Sequence, residues 1–335
     1  MAQLASNTRK VQLVNKKQER DCLDAVFGST ELTVRECEEP DFICQSKVGI
    51  EFGVEVTEFH LTESHARLEK IDGYALGLLA GAAYRHKDDR KEIKVENVTY
   101  SRPSTGQSIK VNAIPIAVPH HHESIPKLLE RIATKNGKCL QYHRRVRPVD
   151  LIVNDVDQMM RFDSIRQLLA PIVNGSVSAT VLESPFREIY VVTLCADKGS
   201  VVVPLRANLF LAEIARFSNV YRRFHSEVGT KSTVGQFLKT LAVYLAGRIP
   251  MVKYCVADNR PCFAFASVSW DYTKEQKIEV VDTSHEDTSG WKQLAPDVDA
   301  DHLPEEFAAM LGESHTKEFW SYELFFPVRG GNDLG

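Results

Sequence analysis

Two carboxylates in neighbouring strand-like segments are the residues with the clearest chemical potential in this sequence. Asp41 follows Pro40 directly before a short apolar run, and Glu55 lies within the segment 54–59, the best strand candidate in the first half of the chain. A hairpin of these two segments would bring both carboxylates close together, where like charges oppose joint ionisation. A hard divalent cation relieves that repulsion, because Mg²⁺ prefers carboxylate oxygens and water as ligands. Asp41 and Glu55 therefore predict a site for Mg²⁺ or Mn²⁺.

A divalent cation held in this way is suited to phosphodiester hydrolysis. It polarises the phosphate, generates hydroxide from bound water and neutralises the charge that builds on the leaving oxygen. The sequence contains no GxxxxGK[ST] phosphate-binding loop and no GxSxG nucleophile elbow, the signatures of two other common enzyme classes. The alternative interpretation is structural, with Asp41 as a turn residue after Pro40 and Glu55 facing solvent.

The segments that must position these carboxylates follow one another in a regular order. Apolar spacing predicts helices, and short runs of apolar and β-branched residues predict strands. The predicted order is helix, three strands, helix and strand, over residues 8–28, 32–37, 42–44, 54–59, 126 to about 138, and 149–155.

This order, with acidic residues on its second and third strands, resembles the PD-(D/E)xK phosphodiesterase superfamily. The residues that carry the resemblance are Pro40-Asp41-Phe42, the gap to Gly53, and Val54-Glu55-Val56-Thr57. The resemblance covers about 8–155. It implies an α/β protein with a restriction-endonuclease-like mixed sheet flanked by helices, and a metal-dependent nuclease activity.

Thr57 departs from the pattern of the superfamily, which usually has a lysine at this position. Strand side chains alternate, so Glu55 and Thr57 share one face, but a threonine cannot supply the cation that orients and activates the attacking water. In several branches of the superfamily that cation comes from the following helix. Lys135 is the first candidate because it lies in line with the apolar stripe of that helix, and Lys138 is the alternative if a turn swings it inward. The resemblance also suggests that Glu19 on the first helix approaches the metal.

The resemblance divides the chain into two predicted domains. Residues 1–157 form the nuclease-like domain, with an insertion at about 61–122 in which a helix is predicted from about His65 to Tyr84. Residues 158–335 form a C-terminal α+β domain of unknown role.

Charge is distributed unevenly along the chain, although the net charge is only −4. Arg144, Arg145 and Arg147 form a basic cluster, whereas the segment 282–318 holds ten carboxylates against two lysines. The arginines are candidates for binding nucleic acid, with DNA expected, and the alternative is a solvated helix face. The acidic C-terminal region could bind a protein partner or a second copy of the chain.

The sequence of 335 residues predicts a cytoplasmic protein. The chain has no apolar run of the roughly 20 residues that span a membrane, and residues 1–20 lack the apolar core of a signal peptide. Its seven cysteines are odd in number and irregularly spaced, which is typical of buried reduced thiols.

The sequence therefore predicts a metal-dependent nuclease, in a setting such as defence, mobile-element biology or repair. Two alternatives stay open. The first is a catalytically inactive nucleic-acid-binding module on the same fold, in which Thr57 marks a lost lysine. The second is an interaction or scaffold protein.

Overall fold

The computed structural model describes most of the chain between residues 16 and 330. The described ranges are 16–28, 32–60, 62–101, 108–115, 121–142, 146–156, 160, 165–174, 178–195, 199–257, 260–272, 278–283, 286, 288, 290–294, 304–313 and 329–330. Arg144 and Arg145, two of the three arginines expected to bind nucleic acid, lie outside these ranges.

A seven-stranded mixed sheet forms the centre of the fold. From one edge to the other its strands are β1 (Thr33–Glu36), β2 (Phe42–Gln45), β3 (Glu51–Phe59), β6 (Val149–Asp155), β7 (Ile189–Cys195), β8 (Gly199–Pro204) and β14 (Arg329–Gly330). β1, β2 and β3 form an antiparallel meander, after which β3 pairs in parallel with β6, and β6 with β7. The four strands predicted for the first half are confirmed, with β3 beginning three residues before the expected 54.

Helix α5 (His121–Cys139) provides the crossover that the parallel pair β3 and β6 requires. The sequence placed its start at Pro126, because proline favours the first turn of a helix. The helix instead begins at His121, so that Pro126 lies inside it. Leu128 and Ile132 on its inner face are fully buried, as the predicted apolar stripe requires.

Helices cover both faces of the main sheet. α1, described over residues 16–27, packs on one face, and α5 packs on the other. Because strand side chains alternate, neighbouring residues of β3 and β6 enter different cores. The α1 side contains Leu23, Val26, Phe27, Phe52, Val54 and Ile152, and the α5 side contains Leu128, Ile132, Val149, Leu151 and Val153.

The residues between β3 and α5 form a small substructure with its own apolar cluster. Its elements are α2 (Glu63–Lys70), α3 (Tyr74–Leu79), α4 (Asp89–Glu92) and the hairpin of β4 (Glu96–Ser101) with β5 (Ser108–Ala113). The single helix expected from about 65 to 84 is wrong, because the chain turns between α2 and α3 at Gly73, whose φ is 69°. Arg67 and Tyr74 both donate to the buried Asp89 carboxylate, which holds these helices together.

The main sheet does not end at the domain boundary expected near residue 157. β7 and β8 continue it beyond β6, so these two strands complete the same layer rather than begin a separate domain. The helices of this part are α6 (Ile165–Asn174), α7 (Ser178–Leu182), α8 (Leu205–Val228), α9 (Val234–Arg248) and α10 (Glu305–Glu313). The sheet continues beyond β6 because the buried core does: one apolar cluster contains residues of β6 and α5 together with residues of α6, α7 and α8.

A second, five-stranded antiparallel sheet packs against this common core. Its order is β12 (Ile278–Asp282), β11 (Val268–Tyr272), β10 (Arg260–Phe265), β9 (Lys253–Ala257) and β13 (Lys292–Gln293). The protein is therefore mixed α/β, with a mixed sheet flanked by helices. None of the described helices combines the length and the apolar composition needed to cross a membrane.

Candidate active site

Asp41 directly precedes β2, at the point where the pairing of β2 with β3 stops and β3 continues. The last pair of the β2–β3 ladder joins Phe42 to Val54, so continuing the register by one residue places Asp41 opposite Glu55. At this point β3 has lost its neighbour on the β2 side. The Asp41 carboxylate takes that place, because its Oδ2 accepts a hydrogen bond of 2.8 Å from the backbone N–H of Val56.

Close packing between Pro40 and Gly53 holds Asp41 in position. A Cβ atom on Gly53 would lie 2.6 Å from Cγ of Pro40 and 3.2 Å from Cγ2 of Val149. Glycine is therefore needed at 53 for the proline ring to lie against β3. This contact gives a physical reason for two residues of the motif, Pro40 and Gly53, that carry no reactive group themselves.

Glu55 points to the α5 face of the sheet and meets Lys135 there. The Lys135 ammonium lies 2.5 Å from Oε1 of Glu55, and the two side chains are only 14% and 10% exposed. Thr57, on the same face of β3, is buried and supplies no charge. The structure thus brings together the Glu55 and Lys135 side chains that the sequence singled out.

Lys138 does not reach the carboxylates. It is exposed near the end of α5, whereas Lys135 is partly buried one turn earlier. Of the two candidates, Lys135 is the one placed at the site.

Tyr142, which the sequence analysis did not single out, follows α5 and lies beside Glu55. Burial and the negative charge of Glu55 raise the pKa of its phenol above the ordinary value, so the side chain is neutral. Arg147, expected to bind nucleic acid, closes the end of the same helix. It donates to the carbonyl oxygen and to Sγ of Cys139, each at 3.1 Å.

A second lysine, Lys16, joins the site from α1 on the opposite face of the sheet. Its ammonium lies 2.8 Å from Oε2 of Glu19 and 3.4 Å from Oδ1 of Asp41. Glu19 was expected at the site from the resemblance, whereas Lys16 was not. The signal was present, since residues three apart on a helix share a face and Lys16 precedes Glu19 by three.

Lys16 and Lys135 lie on opposite faces of the sheet, and the end of the β2–β3 pairing explains how both reach neighbouring carboxylates. Among the described residues, the pairing of β2 with β3 ends at Phe42 and Val54, and the Asp41 side chain occupies the space beyond it. Lys16 approaches Asp41 from the α1 side, and Lys135 reaches the adjacent Glu55 from the α5 side. One lysine from each face of the sheet therefore lies beside the Asp41 and Glu55 carboxylates.

Asp41 is a carboxylate whose proton affinity is raised by this arrangement. Burial, with the nearby charges of Glu55 and Glu19, raises the pKa of Asp41 from 3.8 to about 6. The Val56 N–H and the Lys16 ammonium act in the opposite direction and do not cancel the effect. Two carboxylates that resist joint ionisation form a site that a cation can stabilise.

The pair Asp41 and Glu55 fits Mg²⁺ or Mn²⁺ by its chemistry. Within the described ranges, no three His, Cys, Asp or Glu side chains come together as a set of metal ligands. Zinc, which takes three or four protein ligands, is therefore a poor match for this pair. Mg²⁺ is commonly bound through one or two carboxylates, with water and substrate phosphate filling the remaining positions.

Comparisons of this chain with protein-family models, with curated proteins and with solved structures found no match.

Proposed function

We propose that this protein is a metal-dependent nuclease that hydrolyses phosphodiester bonds of nucleic acid on a restriction-endonuclease-like fold. One observation carries the proposal. The Lys135 ammonium, 80 positions away in the chain, lies 2.5 Å from the Glu55 carboxylate on the face where β3 carries Thr57. A lysine supplied by the helix is what the resemblance requires of an active site that lacks the strand lysine.

The carboxylates and lysines have separate roles in this proposal. Asp41 and Glu55 hold Mg²⁺ or Mn²⁺ through their oxygens, and the bound ion supplies a Lewis acid and a more acidic water. Lys135 donates a hydrogen bond that orients the attacking water. Lys16 lies on the Asp41 side, where a fixed ammonium stabilises the negative charge that develops on the phosphate oxygens.

A groove between α2 and α5 supports a path for the nucleic-acid strand to this site. It has a volume of about 430 Å³ and begins at Phe59 and His60, at the end of β3. Three of its basic side chains are Lys70, Lys127 and Arg131, with Glu63 and Glu130 as its acidic ones. A phosphate backbone binds such a surface through salt-dependent contacts without sequence preference.

The test is cleavage of plasmid DNA, single-stranded DNA and RNA, each with Mg²⁺, with Mn²⁺ and with a chelator. We expect cleavage that requires metal and that is lost in Asp41→Ala and Glu55→Ala. Calorimetry should show metal binding to the wild type and weaker binding to both variants. Equal metal affinity in all three proteins contradicts the assignment of the ligands.

A second candidate function, nucleic-acid binding without catalysis, is favoured by a different observation. Both carboxylates already have a cationic neighbour, Lys135 beside Glu55 and Lys16 beside Asp41, so the site is partly neutralised by the chain itself. A wild-type protein that binds nucleic acid in a gel shift, yet binds no divalent metal and cleaves none of the three substrates, would establish this function instead.

We also propose a cytoplasmic location. Its support is the state of the cysteines, since Cys22, Cys44 and Cys139 are buried thiols that form no disulfide in the described part of the chain. Fractionation of the producing cells tests this location.

A further inference from the structure

A second cavity lies away from the carboxylates, between the main sheet and the five-stranded sheet. Its volume is about 580 Å³, within the range of roughly 300–1,000 Å³ that is usual for small-molecule sites. It is bordered by the first residues of β3 and β6, the loop before β7, the start of α8 and the β10–β11 turn. Glu51 at its edge and Glu55 at the candidate active site are four residues apart on β3, or about 13 Å along an extended strand.

Basic side chains outnumber acidic ones in the wall of this cavity. The basic residues are Arg147, Arg187, Arg206 and Lys253, and the acidic residues are Glu51 and Glu286. Arg187 is neutralised by Asp150, which it contacts through Nε at 2.9 Å and through Nη2 at 2.5 Å. Arg147 is exposed and Lys253 partly exposed, and their recorded partners, atoms of Cys139 and Thr288, carry no charge. The open side of the cavity therefore has two cations, Arg147 and Lys253, and two exposed carboxylates, Glu51 and Glu286.

Arg206 adds a buried cation to the wall. It is only 5% exposed, and its guanidinium donates to the carbonyl oxygens of Leu182, Phe186 and Arg187. Among the described residues, none accepts a hydrogen bond from its buried Nε atom. Burial lowers the pKa of Arg206 to about 10, although the charges of Glu188 and Asp150 oppose that change. The charge of Arg206 is thus offset in part by Glu188 and Asp150, and its unsatisfied Nε donor is the unusual feature, because buried donors in folded proteins are nearly always hydrogen-bonded.

The backbone around the cavity is strained. Within the described ranges, Met251 and Ala266 are the two non-glycine residues with positive φ, at 67° and 57°. Both line this cavity. Left-handed conformations cost energy for residues with a Cβ atom, and such residues are found preferentially at functional sites.

We propose that this cavity binds a nucleoside phosphate, with the phosphate at Arg147 and Lys253 and the flat base against Pro148, Pro185 and Met251. The cations favour an anion, and the hydroxyl of Thr288 stands beside Lys253 to bond a sugar or phosphate oxygen. A bare phosphate would leave the apolar part of the wall uncovered. That part of the wall therefore favours a nucleotide, whose base can cover it. This assignment is independent of nuclease activity.

Calorimetry on the full chain tests the proposal, in the presence of a chelator and in an Asp41→Ala background so that no ligand is hydrolysed. The probes are AMP, GMP, adenosine and inorganic phosphate. We expect at least one mononucleotide to bind, with adenosine and phosphate each at least tenfold weaker than that mononucleotide. Absence of mononucleotide binding overturns the proposal. Binding of a short oligonucleotide without binding of AMP or GMP also overturns the proposal, because the cavity would then belong to a nucleic-acid path.

Three variants locate the binding. Lys253→Ala should weaken mononucleotide affinity at least tenfold, because it removes an exposed cation from the wall. Glu286→Gln should strengthen affinity by a few-fold, because it removes an exposed carboxylate that repels the phosphate. Lys292→Ala is the matched control: Lys292 lies on β13 opposite Tyr254, next to Lys253, but outside the cavity. Equal effects of Lys253→Ala and Lys292→Ala, or weaker binding in Glu286→Gln, contradict the proposed site even if mononucleotides bind elsewhere.

Discussion

At the scale of single residues, the candidate site depends on which charged groups share one small volume. Asp41 and Glu55 repel each other, and each has a lysine from a different helix beside it. Removing a lysine and removing a carboxylate should therefore have different consequences. Two predictions separate these roles.

The first residue-scale prediction concerns Lys135. Lys135→Ala should lower the cleavage rate by about 10² or more, the usual effect of removing a positioned electrostatic or proton-handling group. Calorimetry should show that metal affinity is retained, because lysine is not a metal ligand and its removal frees Glu55. Lys138→Ala, on the exposed side of the same helix, is the control and should keep full activity. An equal loss of cleavage activity in both variants would mean that a change in the helix, and not the loss of the Lys135 ammonium group, lowers the rate.

The second residue-scale prediction concerns the proton on Asp41. Its pKa is about 6 in the folded protein, above the ordinary 3.8, so the protonated form is favoured by folding. The stability from this group is present below about pH 4 and is lost as the pH rises through 6. Without metal, Asp41→Asn should therefore be more stable than wild type at pH 7 by up to about 3 kcal/mol, since one pKa unit is worth roughly 1.4 kcal/mol.

Denaturant unfolding in a chelator between pH 3.5 and about pH 7.5 measures this difference. The gap between Asp41→Asn and wild type should open between about pH 4 and pH 6 and then stay constant. Glu38→Gln, an exposed change close in sequence, should show no such gap. A gap that does not vary with pH would mean that the pKa of Asp41 is the same in the folded and unfolded states, which contradicts the raised pKa.

At the scale of elements, the register of β2 against β3 places the carboxylates. The ladder ends at Phe42 and Val54, and the packing of Pro40 on Gly53 fixes that end. A change at Gly53 should therefore act on the site although glycine has no side chain to contribute.

Gly53→Ala is the prediction at this scale. The new methyl group would lie 2.6 Å from Pro40 and must displace β2 or its preceding loop. We expect a loss of about 1–3 kcal/mol in unfolding free energy, as for other overpacked positions, and weaker metal binding as Asp41 moves. Gly137→Ala, inside α5 with no atom near its Cβ position, is the control and should raise stability by about 0.5–1 kcal/mol. Unchanged metal affinity in Gly53→Ala would show that this contact does not position Asp41.

At the scale of the whole molecule, the two halves of the sequence share one core. The buried Glu188 carboxylate accepts hydrogen bonds from the backbone N–H groups of Ile189, Arg206 and Ala207, and from the hydroxyl of Ser267. One side chain thus connects β7, the start of α8 and the turn of the second sheet. The connection between the two halves is made next to it, where Asp150 on β6 accepts hydrogen bonds from the Arg187 side chain and from the backbone N–H of Glu188.

Truncation tests this unity. A chain of residues 1–157 should fail to fold cooperatively, because it exposes the edge of β6 that pairs with β7 and the apolar face that α6, α7 and α8 cover. Circular dichroism and thermal unfolding should show no cooperative transition in the fragment, in contrast to the full chain. A stable fragment with a sharp transition would restore the separate domain expected from the sequence.

The sequence by itself determined the local features of the fold and part of the site. Strands at 42–44, 54–59 and 149–155 were predictable because alternation and apolar runs are local signals. Asp41 and Glu55 were identifiable from residue type and their order along these elements, Lys135 from its place on an apolar helix face, and Glu19 only from the resemblance to the superfamily. The helix expected over about 65–84 failed because periodicity alone did not reveal the left-handed turn at Gly73.

Only the tertiary structure decided which groups meet and where the core ends. Lys135 lies 80 positions from Glu55, and the choice between it and Lys138 depends on how α5 is rotated against the sheet. Lys16 reaches Asp41 from the other face because β2 stops one residue short of Glu55, a consequence of strand register. The continuation of the sheet through β7 and β8 depends on pairing and burial between distant segments. These features arise from long-range contacts, which no local pattern of residues encodes.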